Sequence, residues 1–156
     1  MDYQKEIKKC KKHPLIDVNS PTLQKVDYHR EDIYKILPNR EPFLFIDKIT
    51  GVDLGGRRII KKKKISEDDP ALKGHFPGNP VYPGVLQLEM IAEMFCCLFY
   101  FVTKNTYKAD KNDPVRLVAT RMHDCYLQHG IFPGDEVTII TKVLDLNELT
   151  YTGIGQ

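Results

Sequence analysis

Apolar residues recur along this chain with two periods, and the changes between them divide it into elements. Ile33, Ile36 and Leu37 fall at helical spacing and Pro38 follows, which predicts a short helix with a hard stop. Phe43 to Thr50, rich in aromatic and β-branched residues, predicts a first strand. Asp53-Leu54-Gly55-Gly56 makes a turn, and Arg57 to Ile65 returns as a second strand. From about Gly84 to Thr103 nearly every helical face is apolar, carrying Leu86, Met90, Met94, Phe95, Leu98, Phe99 and Phe101 among others. A helix without a polar face belongs in an interior. A polar stretch, Lys104 to Pro114, comes next. Val115 to Leu127, Glu136 to Leu144 and Leu149 to Ile154 read as further strands, parted by Pro133-Gly134-Asp135 and by Asp145-Leu146-Asn147-Glu148. One long helix with strands before and after it predicts an α+β fold, a sheet wrapped around a central helix.

Two stretches do not fit that pattern. Residues 1–25 are lysine-rich and aperiodic, with Pro14 and Asn19-Ser20-Pro21, and read as a loosely ordered extension with little core of its own. The domain proper is expected over 26–156. Lys61-Lys62-Lys63-Lys64 lies inside a predicted strand, where alternation turns two of the four toward each face. An edge position, or stems that snorkel, would accommodate them. As an exposed basic strip they would suit an acidic carrier protein; a solvated strand end is the simpler explanation.

Composition narrows the classes. The chain has 156 residues, enough for one domain with a real core, and a net charge of +2, which argues against a dedicated nucleic-acid binder. Cys10, Cys96, Cys97 and Cys125 form no CxxC pair and read as reduced thiols of a cytoplasmic protein. The charged start, Met1-Asp2-Tyr3-Gln4-Lys5-Glu6, lacks the apolar core of a signal peptide. Met94 to Val102, the longest apolar run, is too short for a bilayer, and no membrane partner is expected.

The chemistry concentrates between Gly74 and Glu89. Three prolines and three glycines in Gly74-His75-Phe76-Pro77-Gly78-Asn79-Pro80-Val81-Tyr82-Pro83-Gly84 exclude helix and ladder alike and predict a shaped loop. Pro83 and Gly84 then open the long helix, whose first N–H groups lack intrahelical acceptors and attract negative charge. A histidine in the loop, a glutamate further along the helix and a bare helix mouth supply a base, an acid and an oxyanion donor.

The string from His75 to Glu89 resembles the signature H-F-P-G-x-P-x-x-P-G-V-L-x-x-E of FabZ-type 3-hydroxyacyl-acyl-carrier-protein dehydratases, a hot-dog-fold family. Leu37-Pro38-Asn39-Arg40-Glu41-Pro42-Phe43-Leu44-Phe45-Ile46-Asp47-Lys48 is similar to that family's L-P-H-R-x-P-F-L-x-x-D-[RK], and Pro133-Gly134-Asp135 is a third match in order. The resemblance implies a hot-dog fold and loss of water from a (3R)-3-hydroxyacyl thioester to give the trans-2-enoyl thioester, in fatty-acid or related acyl-chain synthesis. It implies His75 as base, Glu89 as acid, the Gly84 N–H as oxyanion donor and the Val81 carbonyl as the group that orients His75. It further implies an acyl carrier protein as partner, a homodimer (and in some members a trimer of dimers) sharing each site, and no cofactor beyond the carrier's phosphopantetheine. An acyl-binding scaffold, or a hot-dog thioesterase or isomerase, is the alternative.

The chain departs from the family pattern at Asn39, where His is frequent, at Glu93, where Gln is common, and after Ile154, where one more strand is usual. Glu93 sits one turn beyond Glu89 on the same helix face, where like charges raise one another. Together with the apolar helix this favours a protonated Glu89. His123 and Cys125, with His129, are a weak metal candidate without a convincing fourth ligand, and no metal is expected.

Overall fold

In the computed structural model, residues 3–110, 112–147 and 150–156 are described. The elements are α1 (Tyr3–Cys10), β1 (Gln24–His29), α2 (Arg30–Ile36), β2 (Lys48–Asp53), β3 (Arg58–Lys64), a 3-10 turn (Pro70–Leu72), α3 (Gly84–Lys104), β4 (Glu136–Leu146) and β5 (Tyr151–Gly155). The strands form one five-stranded antiparallel sheet in the order β1-β2-β3-β4-β5, and α3 lies in the connection between β3 and β4. This is the hot-dog arrangement.

By length and composition α3 is apolar enough to cross a membrane. Here it instead buries Met90, Met94, Cys97, Leu98, Tyr100 and Phe101 in the main core, with Ile49, Val52, Ile59 and Ile139 of the sheet. β5 meets α3 through the Tyr151 ring, edge-on to Phe95 and Phe99, and through the bare backbone of its glycines. A Cβ on Gly153 would lie 2.2 Å from a Phe95 ring carbon and 2.6 Å from the Lys142 carbonyl oxygen, and one on Gly155 would lie 2.3 Å from Ile91 Cγ2. Gly153→Ala is therefore expected to destabilise by about 1–3 kcal/mol, since a β4 carbonyl cannot step aside as a side chain can. Urea unfolding would read this as a lower midpoint at unchanged slope.

Four expectations need correction. The first central strand begins at Lys48, not Phe43. The N–H groups of Phe45 and Ile46 donate to the Glu93 carboxylate, so they are not free for a ladder until the chain has passed Asp47. A strand missing from the sequence reading, β1, pairs with β2; its half-buried Val26 and Tyr28 alternate with exposed neighbours, a short period-2 signal inside a polar stretch. Val115–Leu127 is not a strand in this protomer. Val115 N donates to the Ile36 carbonyl, but among the described residues no sheet neighbour lies beside the segment, and Val118, Met122, Tyr126 and Leu127 are exposed.

The four-lysine strip is the last correction. Lys61 pairs with Ile139 and Lys63 with Val137, which puts both on the α3 side of the sheet. Lys61 is fully buried and its ammonium donates to Asp47 Oδ1 at 2.7 Å, while Lys63 donates to the Phe45 carbonyl at 2.8 Å. Only Lys62 and Lys64 point outward, and Lys62 pairs with Glu136.

The N-terminal extension forms α1, which buries none of its residues. Beyond α1 the chain lays Leu15, Ile16 and Leu23 on the outer face of the sheet against Ile60 and Ile140. Glu6 bonds Lys142 at 2.7 Å, and the Gln156 side chain accepts from Leu15 N and donates to the Cys10 carbonyl. The four cysteines are unpaired; Cys97 is buried and Cys125 exposed.

Candidate active site

The loop ahead of α3 is shaped by hydrogen bonds between its own ends. Asp69 caps the 3-10 turn by accepting from Ala71 N, and His75 N donates to the Leu72 carbonyl. Val81 N donates to the His75 carbonyl at 2.7 Å, and Tyr82 N to the Ile131 carbonyl at 2.7 Å, which ties the loop to the segment before β4. The closed loop places the half-buried His75 ring so that Nδ1 lies 2.8 Å from the Val81 carbonyl oxygen. A carbonyl only accepts, so Nδ1 carries a hydrogen, and in the neutral ring the lone pair then lies on Nε2. That is the tautomer a general base requires. The ring also stacks on Phe76, with centroids 4.1 Å apart.

α3 starts at Gly84, with Pro83 as N-cap and no side chain capping it. The Pro83 carbonyl takes Leu86 N and Gln87 N; among the described residues neither Gly84 N nor Val85 N has an acceptor. The N-terminus of a long helix thus presents two donors beside the His75 loop, aligned with the helix dipole. A Cβ on Gly84 would lie 2.3 Å from Leu127 Cδ1, the end of an exposed side chain that would have to turn aside.

Glu89 is half-buried on α3, and no hydrogen bond or ion pair joins it to His75 within the protomer. The structure therefore brings together His75, Val81 and the mouth of α3, while Glu89 makes no hydrogen bond or ion pair with them inside one chain. Glu93, foreseen only as a charged neighbour of Glu89, has a second role that spacing could not show. It is 2% exposed and accepts from Phe45 N at 2.9 Å, Ile46 N at 3.0 Å and Asn39 Nδ2 at 3.3 Å. Burial is the largest influence and pushes its carboxyl up to about 7, against the pull of the two amides and Lys61 and with the push of Glu89.

Asp47 and Lys61 were also missed as a pair. Burial pushes Asp47 upward, but the charge and hydrogen bond of Lys61 outweigh it and hold the carboxyl below its usual range. Burial holds Lys61 below the usual lysine range despite Asp47. Among the described residues no group of three or more His, Cys, Asp or Glu side chains could hold a metal, so His123, Cys125 and His129 form no such cluster.

Comparison with known proteins follows the same lines. The family model described as a FabA-like domain matches residues 37–152. A protein of Alkaliphilus metalliredigens named 3-hydroxyacyl-[acyl-carrier-protein] dehydratase FabZ is 33% identical over 125 residues, covering 80% of this chain and 77% of that one. A Chlamydia trachomatis protein of the same name is 34% identical over 109 residues, 70% of this chain and 68% of its own. A third, from Syntrophomonas wolfei, reaches 44% over 75 residues, 48% of this chain and 51% of its own. The chain belongs to the FabA-like family, among its FabZ-type dehydratases.

Proposed function

We propose that this protein removes water from a (3R)-3-hydroxyacyl chain carried on an acyl carrier protein, giving the trans-2-enoyl thioester in fatty-acid biosynthesis. The observation that carries this reading is the 2.8 Å contact between His75 Nδ1 and the Val81 carbonyl, which in the neutral ring puts the lone pair on Nε2, in the loop that leads into the α3 mouth. His75 Nε2 takes the C2 proton, and the C2–H electron pair delocalises onto the thioester oxygen, where the Gly84 N–H supports the charge, before it returns to form the C2–C3 double bond. The C3–O bond breaks as Glu89 gives its proton to the departing hydroxyl, which leaves as water. The phosphopantetheine arm belongs to the substrate, and the mechanism calls on no cofactor of the protein's own.

We assign the active form to a cytoplasmic homodimer. Two features support that. No hydrogen bond or ion pair joins His75 to Glu89 within one chain. The exposed apolar segment holding Val118, Met122, Tyr126 and Leu127 has unpaired backbone that a second copy could pair. Light scattering should give twice the chain mass, and Val118→Asp should lower the dimer fraction and the activity together. An active monomer would refute the shared site.

Incubation with a 3-hydroxyacyl carrier protein, followed by mass spectrometry of the acyl group, tests the activity. Wild type should lose one water from the substrate. Hydrolysis of the thioester in its place would point to a thioesterase, and no change to a scaffold. The intact His75 loop and the dehydratase relatives make both weaker readings.

A further inference from the structure

Residues 3–23 precede the stretch 37–152 matched by the FabA-like family, yet the sheet is shaped to hold them. Gly51 leaves a seat on β2, where a Cβ would lie 2.8 Å from Leu23 Cγ. Ile16, buried, packs on Ile60 and Ile140. Polar groups fix the path between. Thr22 Oγ1 donates to Asp53 at 3.0 Å, Arg58 Nη1 donates to the Leu15 carbonyl at 3.4 Å, and the Gln156 side chain bonds both Leu15 N and the Cys10 carbonyl. Lys11 follows Cys10, and its own N–H donates to the Ile7 carbonyl at 3.1 Å, continuing the turn of α1. Its backbone is thus held from both sides, and its side chain ends with Nζ 3.7 Å from the centre of the Tyr126 ring. We propose that the N-terminal arm braces the dehydratase site, with Lys11 as a positioning residue that holds Tyr126 and, through it, the segment supporting the catalytic loop and the mouth of α3. This rests on the reading of that site as a dehydratase.

Just after Tyr126 the segment meets the site three times. Leu127 lies against Gly84. Gly130 sits between Phe132 and Val81, since a Cβ there would lie 3.1 Å from Phe132 Cζ and 3.7 Å from Val81 Cγ1. The Ile131 carbonyl accepts from Tyr82 N at 2.7 Å. Residues 81–84 in turn carry the carbonyl that orients His75 and the N–H assigned to the thioester oxygen. On the other side of Leu127 support is thin. Among the described residues, 116–126 make no hydrogen bond, and the Tyr126 ring is exposed apart from its contact with Lys11. An ammonium over an aromatic face is drawn by the ring's quadrupole, modestly at an exposed site. Here the bonds around Cys10 and Leu15 have already ordered the backbone that presents the ammonium, so less entropy is lost in making the contact.

Three surface substitutions test this. Lys11→Met keeps most of the stem and removes the charge, Lys11→Arg keeps a cation over the ring, and Tyr126→Leu removes the ring. Lys11→Met should lower kcat about two- to fivefold, with KM within about twofold of wild type and the urea midpoint unchanged. Lys11→Arg should restore kcat. In a Tyr126→Leu background, Lys11→Met should cost nothing further, because the two residues act through one contact. Amide hydrogen exchange reads the brace without turnover: the Tyr82 N–H, bonded to Ile131, should exchange about two- to fivefold faster in Lys11→Met. A wild-type kcat in Lys11→Met, a loss that Lys11→Arg does not restore, a loss that persists in Tyr126→Leu, or a Tyr82 amide that does not respond would each overturn the proposal. A wild type that turns over no substrate removes the dehydratase reading instead, and the Tyr82 amide then still decides the brace.

Discussion

His75→Ala should lower kcat by about 10³-fold, the loss of a positioned base, with the fold intact. That is about 4 kcal/mol of barrier. The fold is expected to survive because the main-chain bond from Val81 N to the His75 carbonyl holds the loop independently of the ring. His75→Asn sharpens the test. Its side-chain amide can still donate toward the Val81 carbonyl, yet it has no nitrogen lone pair to take a proton. If positioning the loop were all that His75 did, His75→Asn would retain much of the rate. Both variants are expected to be equally inactive, measured as enoyl product formed per enzyme at saturating substrate.

Asp47→Ala should destabilise the protein by about 2–4 kcal/mol at pH 7, because it leaves the fully buried Lys61 ammonium without its counter-ion. The upper part of that range belongs to a pair buried on both sides, and Asp47 is itself nearly half exposed. The pH dependence carries a sign. Burial already holds Lys61 below its ordinary value of 10.5, so the unfolded chain binds more protons there than the folded one. Stability from this group therefore rises with pH toward 10.5 and falls as pH drops. Removing Asp47 lowers Lys61 further, so the deficit of Asp47→Ala should shrink toward pH 10, and it should shrink again in strong acid as Asp47 itself protonates in the wild type. Lys61→Met, which removes the charge and keeps most of the stem, should cost less than 1 kcal/mol or stabilise. Equal losses from the two substitutions would mean that the ion pair, not the stranded charge, governs stability here.

Much of the site was legible before any coordinates. The His75 loop is local: its prolines and glycines exclude regular structure, and Pro83-Gly84 mark where the helix must start. α3 was equally plain, since an apolar residue at nearly every position needs no partner to be recognised as a core helix. The strands were less secure. A strand is defined by what lies beside it, and Val115–Leu127 has the right residues but no sheet neighbour among the described residues of the chain. Phe43–Asp47 has the right residues too, but its amides are claimed by Glu93 from another element.

What the residue order determined by itself, then, was everything set by near neighbours: the loop, the long helix, the turns, and the kinds of acid and base available. Tertiary structure decided the partners of charges. Alternation required two of the lysines at 61–64 to turn inward, and only the packed sheet supplied Asp47 to Lys61 and the Phe45 carbonyl to Lys63. Likewise Glu93 became a clamp because the segment leading into β2 passes over α3. The reason is physical: backbone conformation follows from residues a few positions apart, whereas the burial and pairing that set a charge's behaviour come from segments brought together only by folding.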